Sequence, residues 1–142
     1  MKTKSILLFF AMIFFITSCD FLYFKDIKLS QEEIHLISKQ WELEIIEYYT
    51  SSGDFIKEED FDSPENSIPV YVFYSDYLYD EYEMKNYTYK FRGHGKWSFN
   101  AVTKIIKIDN KEFEILEITN YYLRLKDIDS DNGFQVLVFN KH

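Results

Sequence analysis

From Trp41 onward, apolar and polar positions alternate with a period of two. Trp41, Leu43, Ile45 and Tyr49 alternate with Glu42, Glu44 and Tyr48, and Val70, Val72 and Tyr74 alternate with Tyr71 and Phe73. Further strand-like runs cover about 82–92, 95–100, 102–109, 112–118, 120–128 and 134–140, divided by Gly93-His94-Gly95, Asp109-Asn110 and Asn132-Gly133. Eight strands with short connections predict a meander sandwich or barrel. One helix is predicted ahead of them. Ser30 with Glu33 forms a capping box, Leu29 with Ile34 occupies the positions of a hydrophobic staple, and Ile34, Ile37 and Trp41 recur near helical spacing. Its apolar stripe is expected to plug the strands. From Thr50 to Ile68 the periodicity lapses, and Asp54, Glu58, Glu59, Asp60, Asp62 and Glu65 stand against Lys57. A connection of that length is expected to be a functional lid or a solvated acidic flap.

The amino-terminal pattern is different. Lys2 and Lys4 precede an uninterrupted apolar run from Ile6 to Ile16. A helix of that length rises about 16 Å, short of the roughly 20 residues of a membrane span, so the run reads as the core of a signal peptide. Ile16-Thr17-Ser18-Cys19 resembles the lipobox of bacterial lipoproteins, an aliphatic residue and two small ones before a cysteine. The resemblance implies cleavage before Cys19, a diacylglyceryl group on its sulfur, and a further acyl chain such as palmitate on the new amino group. It also implies a place in the bacterial cell envelope, with the membrane as partner through the lipid. The expected organisation is therefore a signal peptide over 1–18, a lipidated tether over 19–29 and a barrel domain over 30–142. Residues 1–18 carry only Lys2 and Lys4 as charges, so their removal leaves 124 residues and moves the formal charge from -8 to -10.

Composition narrows the picture. An acidic chain is ill suited to tracking phosphates, which argues against nucleic acid as a partner. A single cysteine excludes an intrachain disulfide. The 46% hydrophobic and 20% aromatic content requires a packed domain. Alanine and arginine occur twice each while Ile, Phe, Tyr, Lys and Asn abound, a bias of AT-rich codons that weakens aromatic richness as a sign of binding.

The helix, Trp41 at the first strand, the long first connection, the Gly95-Lys96-Trp97 step and the run from Lys104 through Phe113-Glu114-Ile115 to Leu125 together resemble the lipocalin-like domains of small bacterial lipoproteins. Ser38-Lys39-Gln40 departs from that pattern, which has a glycine two residues before the first tryptophan. The resemblance implies an all-β fold, an antiparallel up-and-down eight-stranded barrel with one short N-terminal helix, the loop after the first strand lying over its open end.

Chemistry is sparse. His35, His94 and His142 lack the spacing of a metal or acid–base site. No catalytic constellation, metal site or cofactor is expected. Asp127-Ile128-Asp129-Ser130-Asp131-Asn132-Gly133 is similar to the start of a calcium loop, but its glycine comes one place late and Val138 stands where a bidentate glutamate is needed. A hairpin turn on Asn132-Gly133 accounts for the same residues. Trp41, Tyr74, Tyr89 and Trp97 are the inward-capable aromatics proposed to bind a small apolar or amphipathic ligand, with an envelope protein as the other candidate partner. The alternative is a structural or interaction lipoprotein whose barrel is filled and whose Tyr-rich strands or acidic loop dock a partner.

Overall fold

The computed structural model describes residues 31–61, 66–128 and 133–141. The signal segment, Cys19, the tether, the Ser30 cap, Asp62, Glu65, the 129–132 turn and His142 lie outside the described residues. The chain divides into two units, Met1–Glu32 and Glu33–His142, and the barrel belongs to the second.

A short helix, α1 (31–37), precedes nine strands among the described residues. These are β1 (Gln40–Tyr49), β2 (Phe55–Asp60), β3 (Ile68–Phe73), β4 (Leu78–Lys85), β5 (Thr88–Asn100), β6 (Ile105–Ile108), β7 (Lys111–Ile118), β8 (Tyr122–Asp127) and β9 (Phe134–Lys141). Eight of them form a closed antiparallel up-and-down barrel in the order β1-β3-β4-β5-β6-β7-β8-β9, with β9 returning to β1. The expected fold class is therefore the observed one. Closure runs along nearly all of β1, from Trp41↔Lys141 to Tyr49↔Phe134, with a bulge between Leu43 and Ile45. Closing the ring leaves no barrel edge open to foreign strands.

The other side of β1 is shared. Gln40 to Glu42 pair with β3, while Ile45 to Tyr49 pair with β2, which therefore stands beside the ring. This corrects the expectation of an aperiodic loop across 50–68. All six residues of β2 are exposed, so no alternation marks it in the sequence. Its backbone pairing to β1 is accompanied by Tyr48 Oη donating to Glu59 Oε2 at 3.0 Å and by Lys57 Nζ 4.6 Å from the Tyr48 ring centroid.

The β4–β5 boundary is also displaced from its expected place. Gly93-His94-Gly95 does not divide two strands, because β5 runs through it; the chain reverses instead at Asn86 and Tyr87, both at positive φ. Asparagine tolerates that region, but a following tyrosine is not the usual turn signal. Gly95 is needed for space: a Cβ there would lie 2.4 Å from Asp109 Oδ1 and 2.6 Å from the Tyr79 ring.

The core fills the end of the barrel where β1 begins. Trp41 and Ile37 are fully buried, and Trp41 Nε1 donates to the Ile37 carbonyl at 2.9 Å, tying α1 to the wall. Phe73 N donates to the Lys39 carbonyl at 3.0 Å, so the chain between α1 and β1 is bonded in place without the glycine of the family pattern. Trp97 is 2% exposed, donates to the Tyr74 carbonyl at 3.0 Å and meets the Phe73 ring edge-on at 5.7 Å. Both indole N–H groups are thus satisfied while the rings bury their area.

Candidate functional site

At the opposite end the barrel is not filled. A cavity of about 460 Å³ opens between β3, β4 and β6 to β9, a volume within the range of small-molecule sites, roughly 300–1,000 Å³. Strand periodicity builds it. On β3 the inward residues are Tyr71 and Phe73, on β7 Lys111 and Phe113, on β8 Leu125 and Asp127, and on β9 Gln135, Leu137 and Phe139. On β7, β8 and β9 the deeper position is apolar and the one nearer the mouth is polar. The result is an aromatic and aliphatic floor under a hydrophilic rim, to which Glu81 and Asp109 also contribute.

The floor is a continuous group of rings. Tyr71 lies 6.2 Å from Phe73, 6.0 Å from Tyr79 and 5.9 Å from Phe139, the last nearly perpendicular at 81°. The Tyr71–Phe73 pair is near-parallel at 19°, and the other two are tilted and edge-on, geometries favourable for aromatic quadrupoles. Tyr79 connects floor to rim. Its Oη donates to Asp109 Oδ2 at 2.6 Å, and the Lys96 amide donates to Asp109 Oδ1 at 3.0 Å. Those two bonds hold the Asp109 carboxyl below its ordinary range, the Tyr79 phenol contributing most. Burial, then the bond to Asp109, pushes the Tyr79 phenol well up. Tyr71 is pushed up to about 12, mainly by burial, with the negative charge of Glu81 adding to it. Both phenols are neutral donors at physiological pH, so this pair positions groups and is a poor source of protons.

A second concavity, about 490 Å³, lies on the outside of the wall, lined by Gln40, Val70, Val72, Tyr74, Tyr82 and Tyr89. Tyr74 Oη donates to Asp80 and Tyr89 Oη to Glu42, each at 2.9 Å.

The four aromatics singled out in the sequence therefore fall in two places. Trp41 and Trp97 are in the closed-end core, and Tyr74 and Tyr89 are on the outer face; none of the four lines the interior cavity. The cavity uses Tyr71, Phe73, Tyr79 and Phe113. In β3 both parities are apolar, so alternation gave no sign of which face turns inward. The signal lay in β7 to β9, where Lys111, Asp127 and Gln135 each lie two residues from an apolar partner. Of the described residues in the segment after β1, those of β2 do not line the cavity.

Among the described residues, no group of three or more His, Cys, Asp or Glu side chains could hold a metal ion, and no helix is long and apolar enough to cross a membrane. His35 is exposed on α1, and His94 is exposed on β5, stacked on Phe91 at 6.4 Å. No protein-family model matches this sequence, and neither a curated protein nor a solved structure matches it.

Proposed function

We propose that this protein is a lipid-anchored envelope lipoprotein that holds a small apolar or amphipathic molecule in the open end of its barrel, without chemical turnover. The observation that carries the binding role is the aromatic cavity of about 460 Å³. A filled barrel would satisfy its own hydrophobic surface, whereas this one leaves rings facing an accessible space. Support for the anchor comes from the Ile16-Thr17-Ser18-Cys19 motif.

Native mass spectrometry of the full chain purified from membranes tests the binding role. Wild type is expected to carry a small-molecule adduct at higher occupancy than Leu137→Phe, which puts a larger ring into the cavity wall. An adduct retained at equal occupancy by a folded Leu137→Phe protein, or a wild type that neither carries nor takes up any apolar probe, would overturn it. A second reading, docking of a protein partner, is favoured by the outer groove with Tyr74, Tyr82 and Tyr89, since tyrosine is enriched at interfaces.

A further inference from the structure

The floor of the cavity is a set of aromatic faces, and its rim is dominated by one sign of charge. Among the described residues that line it, Glu81, Asp109 and Asp127 are carboxylates and Lys111 is the sole cation. Lys111 is exposed at the start of β7, whereas Glu81 and Asp127 are half-buried, one on each side of the mouth. The charges nearest the apolar floor are therefore negative. An occupant with an anionic head would face them in a partly desolvated neck, where repulsion is stronger than in bulk water. A cationic head would meet the opposite conditions. Cations are attracted to aromatic faces within about 6 Å of the ring centroid, and more strongly where water is thinned out. Tyr71, Phe73, Tyr79 and Phe139 supply aromatic rings in the lining of the same cavity as the carboxylates.

Asp109 has a distinct part in this. Its two oxygens are already engaged by Tyr79 Oη and the Lys96 amide, so it contributes field while holding the Tyr79 ring in place. Glu81 is close enough to act electrostatically on both Tyr71 and Tyr79. It is also the cross-strand partner of Tyr71, and it lines the same cavity as both phenol rings.

We infer that the cavity selects organic cations: a substituted ammonium group held between Glu81, Asp127 and the Tyr71 and Tyr79 rings, with an apolar tail on the floor formed by Phe73, Phe113 and Leu137. This inference rests on the cavity being the binding site. It narrows the proposed ligand from apolar or amphipathic molecules in general to one charge class.

The test compares three water-soluble probes of equal chain length, hexyltrimethylammonium, hexanol and hexanoate, titrated calorimetrically into the full-length protein. Each is run with wild type, Glu81→Gln and Leu137→Phe, which narrows the cavity at its wall. The cation is expected to bind tightest and hexanoate weakest. Glu81→Gln is expected to weaken the cation roughly tenfold while leaving hexanol unchanged, and Leu137→Phe to weaken all three. If hexanol and hexanoate bind as well as the cation, and all three are lost in Leu137→Phe, the charge selection is wrong and the cavity reading stands. If no probe binds wild type, or Leu137→Phe binds them equally well, the cavity reading itself fails. Equal cation affinity in wild type and Glu81→Gln would remove Glu81 from the site and overturn the geometry stated here.

Discussion

Tyr71 and Tyr79 show how single residues connect the core to the mouth. Each ring packs against Phe73; the Tyr79 hydroxyl donates to Asp109, and the Tyr71 hydroxyl lies in the field of Glu81. Burial disfavours the phenolate, so the folded protein keeps these protons at a pH where the unfolded chain, with a tyrosine pKa near 10, loses them. Stability from this source is complete below pH 10 and declines as pH rises from 10 towards about 12, the value for Tyr71. Urea midpoints are expected to hold steady up to that threshold and then fall, with Tyr71→Phe flattening the fall by up to about 2 kcal/mol after allowance for solvent screening. A midpoint flat through pH 12, or a fall unaltered in Tyr71→Phe, would contradict this placement. At this scale the inward parity of the tryptophans was legible, although both lie in the closed-end core and not in the cavity where a ligand role was expected of them. That of Tyr71 and Tyr79 was not, because their neighbours of opposite parity are apolar too.

Among the elements, β2 is the one whose formation does not depend on burial. It is exposed at every residue and paired to β1 along one edge, so it is expected to open locally at far lower free energy than the ring. Amide exchange by mass spectrometry should show 55–60 exchanging well before 134–141. Reversing Glu58, Glu59 and Asp60 to lysine should change global stability by less than about 1 kcal/mol and leave cavity occupancy intact, since β2 lines no part of the cavity. Protection of β2 equal to that of β9, or loss of the occupant in the triple variant, would show that this strand belongs to the working barrel. The strand count of the ring was readable because each of its members buries one face against a common core. What escaped reading was whatever lacks that constraint: β2 with no buried face, a reversal at Asn86-Tyr87 without glycine, and a Gly95 that serves the Tyr79–Asp109 pair instead of ending a strand. The cavity was half legible, since polar residues two places from apolar ones in β7 to β9 marked a rim without marking its depth.

For the whole molecule, the proposed anchor and the barrel are separable. A chain cleaved before Cys19, with a formal charge of -10, would gain no electrostatic attraction to anionic lipid, so acyl chains on Cys19 would have to hold it. Cys19→Ala is expected to leave an uncleaved precursor or release the protein from the membrane fraction; normal processing and sedimentation of that variant would defeat the anchor. The ring itself closes where β1 meets β9, joining Glu42 to Asn140 across most of the chain. Contacts so distant in sequence form late and slow a folding reaction. The same last strand carries Gln135, Leu137 and Phe139, a full wall of the cavity. Until β9 docks there is no enclosed space to occupy, and an occupant can bind only the zipped state. Under the proposed binding role, occupancy and closure would be two sides of one equilibrium: at a hundred times its dissociation constant a ligand would add about 2.7 kcal/mol to the seam, so a molecule held in the barrel would also act as its latch.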